Sequence, residues 1–170
     1  MTRNLPFEVL RELRAQGRTL ATAESCTGGL VAAAITSVPG ASAVLAFSAV
    51  TYADAAKIGI GVQKETIARY GAVSEQTAKE MAESIRRLAH ADLGLSVTGV
   101  AGPSPSEGKP VGLVYLGISF GEKTEEKKLM LGTRTREEIR QTAVQELLSA
   151  AADTVAREGV RHEGEKSISD

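Results

Sequence analysis

Short apolar segments alternate with helical patterns along the first part of the chain, and this alternation limits the possible folds more than any other feature. Residues 43–52 are almost continuously apolar, as in a strand that is covered on both faces. Residues 93–98 have the same character, and residues 18–23 form a shorter candidate strand. Because helical patterns separate these segments, the sequence predicts a sheet containing parallel strands, with helices packed on its faces.

Periodicity and capping signals place the helices. Helices are predicted over 5–16, 30–38, 64–70, 75–90 and from Thr135 to about Arg157, with one helical turn over 53–57. Asn4 and Ser74 are predicted N-caps. Thr135 and Glu138 have the spacing of a capping box, which predicts the start of the last helix.

The segment before the last helix and the end of the chain complete the prediction. Residues 113–120 and 125–131 are expected to form an antiparallel hairpin around Gly121. The predicted fold class is α/β, a three-layer α/β/α sandwich with a mixed, mostly parallel central sheet of about five strands. Residues 1–158 are predicted to be a single domain, and the polar segment 159–170 a disordered tail.

Composition and charge argue against several functional classes. The 170 residues carry a formal net charge of −1, so no overall positive field would attract nucleic acid or an anionic membrane. The only cysteine, Cys26, has no partner for an internal disulfide, which fits a cytoplasmic location. Neither a signal-peptide pattern nor an apolar run of about 20 residues occurs in the sequence. Metal-ligand spacings and glycine-rich phosphate motifs are also missing, so we expect no metal and no cofactor.

Residues 23–29, Ala-Glu-Ser-Cys-Thr-Gly-Gly, lie where a predicted strand gives way to a helix. Ser25 is the candidate nucleophile, because such a junction exposes a side chain and aims free backbone N–H groups at its target. Ser25 could instead cap the helix, unless Thr27 takes that role. Cys26 is either a rival nucleophile or a small buried apolar residue.

A nucleophilic serine needs a base, and Lys57 is the best-placed candidate. His90 ends a predicted helix and His162 lies in the polar tail, so neither suits a triad with Ser25. A lysine can act as a base when burial lowers its pKa. Lys57 follows an apolar strand closely, although a solvated helix lysine is the alternative interpretation. Tyr52 could relay a proton or orient the lysine, or be a half-buried residue at the sheet edge.

Glycines follow two of the predicted strand ends. Gly28 and Gly29 let the backbone approach a ligand closely, and the N–H groups of residues 27–29 could form an oxyanion hole. Tight packing of the helix on the sheet explains the same two glycines equally well. Thr98 ends a buried strand, and Gly99 and Gly102 follow it.

The candidate side chains share a position relative to the strands. Ser25, Tyr52 and Thr98 fall at or just past predicted carboxyl ends, which is where open α/β sheets bind ligands. If the strands are parallel neighbours, the three residues meet at one edge of the sheet. Three arginines near the start of the last helix are candidate phosphate ligands or solvated side chains: Arg134, Arg136 and Arg140.

These segments together resemble the CinA C-terminal domain family, the nicotinamide-nucleotide amidohydrolases or NMN deamidases. The matching segments are residues 21–29, 50–57, 71–75, 97–103 and 109–112. Longer members of the family carry an additional N-terminal domain, and this chain resembles the stand-alone form. One departure is the stretch 104–108, Ser-Pro-Ser-Glu-Gly, which is shorter than the family's usual glycine-rich stretch with its threonine.

The resemblance implies that the chain hydrolyses the carboxamide of nicotinamide mononucleotide, giving nicotinate mononucleotide and ammonia. Ser25 would be the nucleophile and Lys57 its base, with Tyr52 and Thr98 supporting them. The residues expected to bind the substrate are Cys26, Thr27, Gly28, Gly29, Gly99, Gly102, Arg136 and Arg140. The alternatives are an amidase for another amide and a non-catalytic binding module linked to competence or DNA damage. A homo-oligomer, most simply a dimer, is expected, because the apolar hairpin would need cover on its outer edge.

Overall fold

A computed structural model describes residues 3–166, with side chains described over 3–159. The helices are α1 (Leu5–Ala15), α2 (Leu30–Thr36), α3 (Asp54–Ile60), α4 (Lys64–Tyr70), α5 (Glu75–Leu88) and α6 (Arg136–Lys166). The strands are β1 (Leu20–Glu24), β2 (Leu45–Val50), β3 (Leu93–Gly99), β4 (Leu113–Phe120) and β5 (Lys123–Met130). No helix among the described residues is both long and apolar enough to cross a bilayer.

The five strands form one mixed sheet in the order β2-β1-β3-β4-β5. β1 pairs in parallel with β2 and β3, whereas β4 is antiparallel to both of its neighbours. Four strands therefore run in one direction and only β4 runs against them. This arrangement confirms the predicted α/β fold with a mixed, mostly parallel sheet.

Helices cover both faces of the sheet, so the predicted three layers are present. On one face, α1, α2 and α6 pack into the larger core, which includes Leu13, Ile35 and Leu147. On the other face, α5 lies across β3 and β4 and buries Met81 and Ile85, with α3 and α4 beside it. The predicted helix starts are also confirmed, because their capping bonds are made. The capping side chains are Asn4, Ser74 and the Thr135–Glu138 pair.

The prediction that the strand in residues 43–52 is covered on both faces is wrong. β2 is an edge strand with β1 on one side only, and its Phe47 and Val50 side chains are 44% and 51% exposed. The opposite edge also differs from the expectation of an apolar hairpin. β5 has the sequence Lys-Thr-Glu-Glu-Lys-Lys-Leu-Met, and such charges protect an edge from further pairing.

The last helix is longer than its pattern predicts. α6 continues through Lys166 rather than ending near Arg157, so residues 159–166 are helical instead of part of a disordered tail. Arg, Glu and Lys are good helix formers, and one glycine such as Gly159 costs only about 1 kcal/mol relative to alanine. Residues 167–170 of the predicted tail lie outside the described residues.

Candidate active site

The carboxyl ends of the three parallel strands lie level with one another. Glu24 at the end of β1 is opposite Val50 in β2 and Val97 in β3. The residues that follow these positions therefore meet, as the sequence predicts. They border a cleft of about 340 Å³.

Most of the predicted site residues line this cleft. Those that do are Ser25, Cys26, Tyr52, Lys57, Thr98, Gly99, Gly102 and Arg136. The other predicted substrate-binding residues do not line it: Thr27, Gly28, Gly29 and Arg140. These four belong to the turn that follows β1 or contact it from α6.

The Glu24 carboxylate holds the turn between β1 and α2 from within the protein. It is 1% exposed and accepts hydrogen bonds from the N–H groups of Gly29, Val31 and Ala32 at 2.9–3.1 Å. The Thr27 hydroxyl donates to the same carboxylate at 2.6 Å. Glu24 thus satisfies the free N–H groups at the start of α2, and neither Ser25 nor Thr27 caps this helix. Sequence reasoning missed this role, because Ser25 and Thr27 are the more usual types of capping residue.

Ser25 and Lys57 are brought together. Lys57 Nζ lies 3.1 Å from Ser25 Oγ, and it also donates to the carbonyl oxygens of Thr51 at 2.8 Å and Tyr52 at 3.1 Å. Lys57 is only 1% exposed, so the alternative of a solvated helix lysine is wrong. The helical turn predicted over 53–57 is the start of α3, which places this side chain under the strand ends.

The surroundings of Lys57 act on its pKa in opposite directions. Burial lowers the pKa of Lys57, while the nearby carboxylates of Asp54 and Glu107 oppose that change. A neutral amine has two N–H bonds and one lone pair. With the two N–H bonds used by the Thr51 and Tyr52 carbonyls, the lone pair can accept the proton of Ser25.

Cys26 has the properties of a buried, inert thiol. It is 5% exposed, and burial raises the pKa of its thiol to about 11. A thiol with so high a pKa is almost entirely protonated near neutral pH, and the thiolate is the nucleophilic form. This observation favours Ser25 over Cys26 as the nucleophile.

The backbone donors in the turn divide into used and free groups. The Gly28 N–H donates to the Ser25 carbonyl, and the Gly29 N–H donates to Glu24. Neither glycine therefore supplies a free N–H group for an oxyanion. The N–H groups of Cys26 and Thr27 donate to no other residue in the part of the chain that the structure describes.

The remaining candidates take different positions. Thr98 is 1% exposed and its hydroxyl donates to the Ala72 carbonyl at 2.7 Å, which ties β3 to the loop before α5. Arg136 donates to the Gly102 carbonyl at 2.6 Å and to the Tyr52 hydroxyl at 2.9 Å. Arg136 and Tyr52 are both exposed, so they form the outer rim of the cleft.

The stretch 104–108 also contributes to the cleft. Ser104, Ser106 and Glu107 line it, together with Asp54 from α3, and none of these four was predicted from the sequence. Glu107 accepts hydrogen bonds from the N–H groups of residues 72 and 73, both at 3.1 Å. Glu107 is the one charged residue of the stretch 104–108, and its charge was the available signal. No group of three or more potential metal ligands occurs among the described residues.

Comparison with known proteins places the chain among similar domains. The CinA C-terminal domain model matches residues 2–155. A protein of Caldanaerobacter subterraneus is 60% identical over 131 residues, which are 75% of this chain and 32% of that protein. A CinA-like protein of Kosmotoga olearia is 52% identical over 126 residues, 73% of this chain and 31% of that protein. The chain thus spans about a third of the length of these relatives.

Solved structures share the fold. A CinA superfamily protein of Klebsiella pneumoniae 700603 superposes with a TM-score of 0.86 at 36% identity, covering 92% of this chain and 99% of that one. The competence damage-inducible protein A of another Klebsiella pneumoniae strain gives a TM-score of 0.85 at 40% identity, covering 89% and 95%.

Replacing Glu24 by glutamine should destabilise the protein. The amide would present N–H donors to the backbone N–H groups that the carboxylate now satisfies, so we expect a loss of about 2 kcal/mol in the free energy of unfolding. Urea denaturation measures this free energy. Glu83→Gln is the matched control, because Glu83 forms a surface pair with Arg87 at 3.5 Å, and its replacement should change stability by less than about 0.5 kcal/mol. Equal stability of the two variants would contradict the capping role.

Proposed function

This chain belongs to the CinA C-terminal domain family, and we propose that it is an amidohydrolase that converts nicotinamide mononucleotide to nicotinate mononucleotide and ammonia. The observation that carries the proposal is the buried Lys57 Nζ, 3.1 Å from Ser25 Oγ and bonded to two carbonyls. A serine hydroxyl is a weak nucleophile until a neighbouring base removes its proton. Lys57 is the base that this geometry supports.

In the first half of the reaction, Ser25 Oγ attacks the carboxamide carbon while neutral Lys57 takes the hydroxyl proton. The carbonyl oxygen becomes an oxyanion, for which the N–H group of Cys26, a residue that lines the cleft, is the candidate donor. The carbon–nitrogen bond then breaks. The Lys57 ammonium returns its proton to the leaving nitrogen, which departs as ammonia.

In the second half, water hydrolyses the ester formed on Ser25. Lys57 is neutral again after ammonia has left, so it can take a proton from the attacking water and deliver it to Ser25 Oγ as the ester bond breaks. The product carries a carboxylate where the substrate had a carboxamide. No metal or cofactor takes part in this sequence of steps.

The charges around the cleft suit a substrate that carries both a positive and a negative charge. Nicotinamide mononucleotide has a pyridinium cation near the reacting amide and a phosphate at the other end. Asp54 and Glu107 supply negative charge close to Lys57. Arg136 supplies positive charge at the rim, and two of its five N–H groups are used by Gly102 and Tyr52, so donors remain for a phosphate. We therefore assign phosphate binding to Arg136 rather than to Arg140.

A cytoplasmic homo-oligomer, most simply a dimer, belongs to the same proposal. The exposed apolar side chains of the edge strand β2, Phe47 and Val50, are the surface that such an assembly would cover, because most residues of the opposite edge strand β5 are charged. Sedimentation equilibrium should give twice the chain mass for the wild type. A monomer at tens of micromolar would contradict this part of the proposal.

Ammonia release from nicotinamide mononucleotide tests the function directly. We expect release by the wild type and a loss of at least about 10³-fold in Ser25→Ala, because the nucleophile is gone. A coupled enzymatic ammonia assay measures the rate, and circular dichroism shows that the variants fold. Ser149→Ala on α6 is the matched control, since Ser149 lies outside the cleft. Activity that persists in Ser25→Ala but disappears in Cys26→Ala would make Cys26 the nucleophile and overturn the assignment.

The pH dependence of kcat/KM tests Lys57. The proposed base works only when neutral, so kcat/KM should rise with pH, with a midpoint below the ordinary lysine pKa of about 10.4. Asp54→Asn removes a charge that raises the pKa of Lys57, so the rise should move to lower pH. Glu65→Gln, a similar change in the exposed first turn of α4, should leave the midpoint in place. A Lys57→Arg variant with wild-type rates would show that Lys57 is not the base.

A further inference from the structure

The guanidinium of Arg140 contacts the turn that carries Ser25, and not the cleft itself. Its Nε donates to the Cys26 carbonyl and its Nη2 to the Thr27 carbonyl, both at 3.0 Å. It is close enough to this backbone that a Cβ added to Gly28 would lie 3.4 Å from Nη2. The two bonds use a fixed fork of donors, which is the geometry that distinguishes arginine from lysine.

These two bonds fix the direction of backbone N–H groups. In a trans peptide the C=O of one residue and the N–H of the next point in opposite directions. Because the Cys26 carbonyl points at Arg140, the Thr27 N–H points away from it. The Thr27 carbonyl also points at Arg140, and the Gly28 N–H behind it donates to the Ser25 carbonyl at 3.0 Å. The carbonyls of residues 25–27 are thus all held, the first by the Gly28 N–H and the next two by Arg140, so the backbone that carries Ser25 has a fixed course.

Arg140 is itself held in place. Its neighbour Ile139 and the next residues on the same helix face, Ala143 and Leu147, are completely buried in the core. From the inner side, Glu24 binds the Thr27 hydroxyl and the Gly29 N–H. The turn is therefore held from the protein interior by the Glu24 carboxylate and from the side of α6 by the Arg140 guanidinium.

We infer that Arg140 is a positioning residue that fixes the turn between β1 and α2, so that the Ser25 hydroxyl and the Cys26 N–H, both at the cleft, keep their places when Ser25 attacks its substrate. The inference rests on the proposed function, and it replaces the phosphate-binding role that the sequence suggested for Arg140. The neighbouring Arg136, one helical turn earlier, keeps that role at the rim. The two arginines therefore act on different steps, Arg136 on substrate binding and Arg140 on the transition state.

Steady-state kinetics with nicotinamide mononucleotide separate these roles. We expect Arg140→Met to lower kcat by about 10- to 100-fold, because a misdirected oxyanion donor weakens only the transition state. Its KM should stay within about threefold of the wild type. Arg140→Lys can reach one carbonyl and should recover part of the loss. Arg157→Met removes the same charge from an exposed position farther along α6 and should leave kcat unchanged.

A second readout does not depend on the natural substrate. A small alkyl fluorophosphonate reacts with an activated serine as the Oγ–P bond forms, fluoride leaves and Lys57 takes the proton, while the phosphoryl oxygen occupies the oxyanion position. Intact-mass spectrometry gives the labelling rate of Ser25. This rate should fall in parallel with kcat in the Arg140 variants, and Ser25→Ala should not be labelled.

The outcomes are distinct. An Arg140→Met protein that folds and keeps both rates within about threefold overturns the inference, as does a rise in KM alone or a lower melting temperature alone. A wild type that is labelled but releases no ammonia from nicotinamide mononucleotide overturns the proposed substrate, and the labelling ratio then still decides the role of Arg140. A wild type that is neither active nor labelled overturns both.

Discussion

The buried carboxylate of Glu24 is the interaction on which the arrangement of the site depends. It ends strand β1 and accepts the N–H groups that begin α2, so strand and helix are joined through one side chain. A helix start without such a partner would recruit a nearby hydroxyl as its cap. Because Glu24 does this work, the Ser25 hydroxyl is left for Lys57. Burying the charge is tolerable because four donors surround it.

Lys57 shows how burial and charge can be balanced in one side chain. Burial alone disfavours the ammonium form, whereas the carboxylates of Asp54 and Glu107 favour it. The two carbonyls of Thr51 and Tyr52 accept hydrogen bonds from either form. The amine can therefore gain and lose a proton during a reaction without leaving a buried polar group unpaired. A pair of arginine and serine could not do this, because a guanidinium stays protonated.

Local signals in the sequence predicted the helices and strands well, but they predicted only part of the candidate active site. α4 begins and ends where its pattern predicts, and Ser74 caps α5, because propensity and capping act over a few residues. The place of β2 at the sheet edge depends on the order of the strands, which its apolar sequence does not contain. Strand ends identified Ser25 and Thr98 as neighbours. The use of Glu24 as a cap depends on side-chain direction, and no pattern in the sequence specifies that direction.

The two arginines of α6 show why residue type alone could not assign their roles. Arg136 and Arg140 are four residues apart, so they lie on one face of the helix and both point toward the ends of the strands. One turn of helix separates a position at the exposed rim from one against the backbone of residues 26 and 27. Because the core residues beside Arg140 hold the helix at a fixed depth, its guanidinium reaches carbonyl oxygens that Arg136 cannot reach. The same residue type thus lies at the exposed rim of the cleft at one turn and against the backbone of the turn after β1 at the next.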